Sequence, residues 1–137
     1  MNCEFLIPGL CLLLATACVE KNPIRPTASV GEEFALAPGT STSIAGTMMR
    51  VRFDAVANDS RCPIDVSCIQ AGNAVVVIAV IDETGSSRYE LATNEASRKS
   101  VTHRDVRLEI IELEPHPRSS QPTDPAAYRA TFKVTGS

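Results

Sequence analysis

Apolar and polar residues alternate in short stretches along most of the chain after residue 30, and this two-residue period predicts β-strands. Met49, Val51 and Phe53 are apolar and are separated by arginines. The same alternation recurs in residues 34–37, 89–91, 106–110 and 128–135. Each stretch predicts a strand with one face in a core and the other face in solvent.

Residues 74–81 are apolar throughout and mostly β-branched, and they lie between Gly72-Asn73 and Asp82. A run of this length and composition predicts a central strand that is buried on both faces. Further along the chain, Ile111 and Leu113 continue the apolar pattern one residue out of phase with the strand before them. That change of phase predicts a β-bulge.

Residues 29–137 therefore predict a single all-β domain of about seven short strands with turn signals between them. The expected architecture is an antiparallel β-sandwich, immunoglobulin-like in its general plan. A small closed β-barrel is the alternative. No segment has a sustained helical period, although residues 92–101 could hold one helical turn.

The first 17 residues predict a signal peptide. The apolar run of residues 5–17 is too short to span a bilayer, which takes about 20 residues, but it has the length of a signal-peptide core. It ends in Leu14-Ala15-Thr16-Ala17 directly before Cys18, a sequence that resembles a bacterial lipobox. The resemblance implies cleavage before Cys18, attachment of diacylglycerol to its sulfur, and anchoring to a membrane.

Residues 18–28 are mostly polar and contain two prolines, which favours a flexible tether between the anchor and the domain. In lipoproteins, Val19 rather than Asp after the lipidated cysteine implies sorting to the outer membrane, facing the periplasm. Two alternatives remain open for this region. Ala15-Thr16-Ala17 also fits ordinary secretory cleavage, which would release a soluble protein, and Cys18 could instead lie in the core of a buried N-terminal element.

Composition excludes some classes of partner. Glu4 is the only charged residue of the leader, so its removal changes the formal net charge from −3 to −2 and leaves 120 of the 137 residues. The chain has no basic patch and only four Phe and two Tyr. Nucleic acid is therefore not an expected partner. The remaining length suffices for one domain.

Two cysteines remain after Cys18, namely Cys62 and Cys68. An even pair in an exported chain predicts a disulfide, because the compartment is oxidising. Zinc sites generally use shorter spacings with a second pair of ligands, and redox catalysts favour two intervening residues. We therefore predict neither a metal nor a redox role for this pair.

The segment from Asp59 to Ala74 reads DSRCPIDVSCIQAGNA. It resembles a motif, D-S-R-C-P-x4-C-x2-A-G followed by an apolar strand, that is found in small exported bacterial proteins, many of them lipoproteins. The resemblance implies export and does not imply an activity. It covers the segment closely and the rest of the domain only in its strand pattern, and Gln70 stands where the motif often has Trp.

This segment has two interpretations. In the first, a rigid loop presents Arg61, Ile64 and Asp65 to a partner. In the second, it is a disulfide-pinned corner that sets strand register, with Arg61 paired to Asp59 or Asp65. A second candidate contact surface is the polar, proline-rich stretch of residues 115–125.

Nothing in the sequence predicts a catalytic site, a cofactor or a metal site. There is no G-x-S-x-G motif for a nucleophilic serine, and the two histidines, His103 and His116, have the neighbours of surface residues. The aspartates lack the spacing of a calcium-binding loop. The first hypothesis is thus a lipoprotein of the cell envelope that binds an unidentified protein or ligand, or has a structural role, without catalysis. A secreted or periplasmic inhibitor of a hydrolase is the second, and a metal-handling protein is the third.

Overall fold

The fold was analysed in a computed structural model that describes residues 26–137. These residues form nine strands and two 3₁₀ turns, Ala96–Arg98 and Pro125–Ala127. The first of these turns lies in the segment predicted to hold one. The strands are Thr27–Ala28 (β1), Glu33–Leu36 (β2), Ser41–Ile44 (β3), Arg50–Asp59 (β4), Ala74–Asp82 (β5), Gly85–Ala92 (β6), Ser100–His103 (β7), Val106–Glu114 (β8) and Arg129–Gly136 (β9).

The strands form two sheets, and the predicted β-sandwich is confirmed. One sheet has the order β1-β3-β4-β5-β6 and the other has the order β2-β9-β8-β7. The two do not close into a barrel, so the alternative architecture is wrong. All pairs are antiparallel except that of β1 with β3, which is parallel. The domain has two strands more than the seven predicted, because β1 and β7, with two and four residues, are too short to leave a clear period in the sequence.

Inward-facing residues from both sheets form one core, as the alternation predicts. Phe132 of β9 lies at its centre and contacts Phe34 of β2 and Phe53 of β4, with ring centroids 5.8 and 6.3 Å away. Phe53 and Phe132 are both completely buried. Burial of aromatic side chains of this size supplies a large share of the hydrophobic stabilisation of a small domain.

The prediction that residues 74–81 form a strand buried on both faces is confirmed. Ile78 lies in the core, and Ala79 is also buried although it faces outward. The reason lies in the neighbouring strands, because Arg52 and Arg88 are directly opposite Ala79 in β4 and β6. Long side chains can cover a small apolar neighbour with their aliphatic stems while their charged ends stay in water.

The predicted bulge is also confirmed, since the register of β8 against β9 shifts between Ile110 and Glu112. Ile110 and Leu113 are buried, whereas Ile111 is exposed. The extra residue thus lets two apolar side chains of opposite parity enter the core from one strand.

One predicted boundary is wrong. The tether was expected to extend to residue 28, yet Thr27 and Ala28 form β1 and Ala28 is buried. Ala28 pairs with Ile44 of β3, so the domain begins at least two residues earlier than its predicted start. The predicted signal peptide and the predicted lipidation site at Cys18 lie outside the described residues.

Candidate functional site

The segment between β4 and β5 forms a loop closed by a disulfide between Cys62 and Cys68. The sulfur atoms are 2.13 Å apart and the two Cα atoms 5.9 Å apart. We call residues 61–72 the stapled loop. Backbone hydrogen bonds close its base, from Ser60 N to Asn73 O at 2.7 Å and from Cys62 N to Ala71 O at 2.8 Å. The loop is thus a narrow, cross-linked extension of two adjacent strands.

Arg61 is the first residue of the stapled loop, and its side chain is buried. Its guanidinium donates to both carboxylate oxygens of Asp59, from Nε at 2.8 Å and from Nη2 at 2.7 Å. It also donates to the carbonyl oxygens of Leu113 and Pro115, at 2.6 and 2.9 Å. The side chain is only 6% exposed. Arg61 therefore cannot be presented to a partner as predicted, and it instead fixes the loop to the end of β8.

Asp59 is the acceptor at the centre of this arrangement, because Tyr128 also donates to it, from its hydroxyl to Oδ2 at 2.9 Å. Burial raises the pKa of the Asp59 carboxyl, but the hydrogen bonds from Arg61 and Tyr128 and the charge of Arg61 outweigh it. The net result is a pKa below the ordinary value for aspartate. We call Asp59, Arg61 and Tyr128 the buried hub. It connects β4 of one sheet with β8 of the other sheet and with the residue directly before β9.

This lowered pKa predicts that the domain loses stability in acid. A carboxyl whose pKa is depressed by folding stabilises the native state above its unfolded pKa, which is about 3.9, and this contribution disappears as the pH falls through the folded pKa. We expect the free energy of unfolding, measured in urea between pH 6 and 2, to fall below about pH 4. Asp59→Asn should reduce that dependence, whereas Asp105→Asn at an exposed turn should not. An equal effect of the two substitutions would contradict the prediction.

The proline-rich loop, residues 115–125, packs against the stapled loop. Asp65 accepts hydrogen bonds from the backbone N and the hydroxyl of Ser119, at 2.9 and 2.7 Å. The backbone N of Ile64 donates to the carbonyl oxygen of Pro117 at 3.1 Å. The two candidate contact surfaces are therefore one continuous surface. The hydrogen bonds from Ser119 also hold the pKa of Asp65 below its ordinary value.

The outer part of the stapled loop is apolar and exposed. Ile64 is 57% exposed, Val66 is 46% exposed and Ile69 is completely exposed. They account for half of the six large apolar side chains that are exposed within residues 26–137. We call these three residues the apolar tip. Of these three residues only Ile64 was predicted as a contact residue, and Val66 and Ile69 were not.

A depression of about 460 Å³ lies beside the stapled loop and is lined by residues of several elements, among them Cys62, Lys99, Ile111, Glu112 and His116. Its lining mixes charges of both signs with apolar atoms. Arg61 borders it, but the guanidinium is already bonded to Asp59 and to the carbonyl oxygens of Leu113 and Pro115. The depression is thus a recess between the stapled loop and β8, and its buried arginine is already committed to protein acceptors.

His103 was predicted to be a surface residue, and this was wrong. Its ring is largely buried between the sheets, with Nδ1 2.7 Å from the hydroxyl of Tyr89 and Nε2 2.9 Å from Oδ2 of Asp82. Hydrogen bonds from Thr84 and His103 hold the pKa of Asp82 far below its ordinary value. Both ring nitrogens are occupied by protein groups, so the arrangement fastens β7 to β5 and β6 and offers no free base to a substrate.

In the part of the chain that the structure describes, no group of three or more His, Cys, Asp or Glu side chains could hold a metal ion. Residues 26–137 also contain no helix with the length and hydropathy needed to cross a membrane. The fold and the site define a β-sandwich with a disulfide-stapled, apolar-tipped loop. No family model, curated protein or solved structure matches the chain.

Proposed function

We propose that this chain is an exported, lipid-anchored binding module of the cell envelope that recognises a partner protein through the apolar tip. The observation on which this proposal depends is the combination of Ile64, Val66 and Ile69 in exposed positions with a loop that is fixed at its base. Clustered exposed apolar side chains on a soluble domain are typical of interaction sites. The membrane contact would come from the predicted lipid at Cys18.

Rigidity is the second argument for recognition. A flexible loop loses conformational entropy when it binds, at a cost of about 0.5–1.5 kcal/mol for each immobilised side chain, and a preorganised loop avoids part of that cost. The disulfide, the buried hub and the Asp65–Ser119 hydrogen bonds all restrict the stapled loop before any partner arrives. In this proposal Arg61 and Asp65 position the tip, and Ile64, Val66 and Ile69 make the contacts.

The same geometry supports a second candidate function, inhibition of an envelope or secreted hydrolase. A narrow, cross-linked loop with an apolar end has the shape needed to enter an active-site cleft and resist rearrangement there. Inhibition would require that the tip occupies the cleft itself, whereas a scaffold or receptor would be bound outside any active site. The partner found through the tip therefore decides between the two functions.

The test is photo-cross-linking of the full chain in an exporting bacterial host that processes it. A photoreactive amino acid at position 69 is expected to capture a specific protein, identified by mass spectrometry. The control position is 48, because Met48 is also exposed but precedes β4, at the end of that strand opposite to the stapled loop. Ile64→Asp combined with Ile69→Asp should abolish capture without lowering the unfolding temperature. Equal capture from both positions, or none from position 69, would contradict the proposal.

The location of the processed chain is measured in the same host. We expect a membrane-bound species whose intact mass begins at Cys18 and includes the acyl chains. A soluble species without added lipid would contradict the anchor and favour the secreted inhibitor. Enzyme assays on the captured partner, with and without the purified protein, then distinguish inhibition from simple binding.

A further inference from the structure

Strand β6, Gly85–Ala92, is the outermost strand of the five-stranded sheet. It pairs with β5 over eight consecutive residues without a register shift, and no other described strand pairs with it. It contains no proline. One long edge of β6 therefore presents a regular row of backbone N–H and C=O groups to which another strand could bind.

The register of β5 against β6 shows which residues of β6 form that row. Thr93 N donates to Ala74 O, just beyond the end of the strand, so Thr93 belongs to the set of residues that bond to β5. Hydrogen-bonded pairs alternate along an antiparallel ladder. The odd-numbered residues of β6 consequently bond to β5, and Ser86, Arg88 and Glu90 direct their backbone groups outward.

The side chains of Arg88 and Glu90 are both exposed, at 67% and 47%, and lie on the same face two residues apart. They contact each other at 3.7 Å, and Glu90 also lies 3.5 Å from Arg98 of the 3₁₀ turn that follows β6. A second copy would exchange these exposed contacts for contacts across the interface. Consider a second copy of β6 placed antiparallel along the open edge, with Tyr89 opposite Tyr89. Arg88 of each copy then lies directly opposite Glu90 of the other. The same arrangement makes residues 88 and 90 a hydrogen-bonded pair, which matches the direction of their backbone groups.

We propose that this edge is a homodimer interface in which two copies pair through β6 and join their five-stranded sheets into one continuous sheet. The positions of the charges favour a second copy as the partner. Arg88 and Glu90 flank Tyr89, so two-fold symmetry about Tyr89 places each arginine opposite a glutamate of the other copy. Edge strands that are protected against pairing are often short, or contain proline, a bulge or an inward-pointing charge, and β6 has none of these features. The proposal does not depend on what the apolar tip binds.

The test uses two differently tagged forms of the full chain, expressed together in an exporting host and purified through one tag after mild detergent extraction. Wild-type copies should purify together. Arg88→Glu places Glu opposite Glu twice in the dimer, and Glu90→Arg places Arg opposite Arg twice. Each should reduce the co-purified copy about tenfold. Arg107→Glu on β8, the same charge change at an exposed position outside the interface, is the control.

Compensating substitutions distinguish a loss of the dimer interface from a general loss of stability. The double variant Arg88→Glu with Glu90→Arg should again purify with itself, and the single variant R88E should purify with the single variant E90R although neither purifies with its own copy. The pairing of R88E with E90R decides the test, because it requires complementary charges across the interface, whereas the double variant also restores the contact between residues 88 and 90 within each copy. Absence of wild-type pairing, or pairing that the swaps do not change, would overturn the proposal.

Discussion

Replacing Arg61 with alanine is expected to lower the free energy of unfolding by about 3–5 kcal/mol. The substitution leaves the carboxylate of Asp59 without its charged partner in a site where only 10% of that side chain is exposed. It also removes the donors to the carbonyl oxygens of Leu113 and Pro115. Breaking a buried ion pair from one side is costly because the remaining charge stays buried.

The measurement is denaturant unfolding at neutral pH, with two comparisons. Arg61→Lys keeps the charge but cannot reproduce four hydrogen bonds of fixed geometry, so we expect an intermediate loss of stability. Arg107→Ala removes an exposed arginine from β8 and should change stability by no more than about 0.5 kcal/mol. If Arg61→Ala cost no more than Arg107→Ala, Arg61 would not be a structural residue and the buried hub would be wrong.

Gly72→Ala is expected to destabilise the domain by about 3 kcal/mol or more. Gly72 has a φ of +68°, and a Cβ atom there would lie 1.8 Å from the carbonyl oxygen of Ser60 and 2.6 Å from its carbonyl carbon. Ser60 cannot easily move aside, because its backbone N and its hydroxyl both donate to Asn73 O. The substitution therefore combines an unfavourable backbone conformation with a clash between main chains.

Gly39→Ala separates these two effects. Gly39 has a similar φ of +80°, but nothing lies within 4 Å of the position that its Cβ would take. It should cost only the conformational penalty of about 1–2 kcal/mol. Thermal unfolding of the two variants under identical conditions measures the difference, and equal losses would show that the base of the stapled loop can open to accept a side chain.

The sandwich could be predicted because strand periodicity is a local property of the sequence. The apolar residues Ala130, Phe132 and Val134 of β9 all face the core as expected, and the parity of Leu113 indicated the bulge in β8. Strand β1 could not be predicted from periodicity because it is too short. Two residues define no period, so Thr27 and Ala28 could not be separated from a tether by their pattern.

The candidate site could be predicted only in part, because its main contacts join residues that are far apart in the chain. Asp59 is a local partner of Arg61, but the carbonyl oxygens that bury this arginine come from Leu113 and Pro115. The same holds for His103, whose ring contacts Asp82 in another strand. Nothing in the sequence near a charged residue reveals that a distant strand will enclose it.

The buried hub separates the residues that hold the stapled loop from those that face outward. Asp59, Arg61 and Tyr128 tie the two sheets together beneath the loop, while Ile64, Val66 and Ile69 contribute little to the core. Substitutions at the tip can therefore accumulate without unfolding the domain. The domain therefore offers a disulfide-closed loop whose outward residues could be replaced by other sequences while the base that holds the loop is kept.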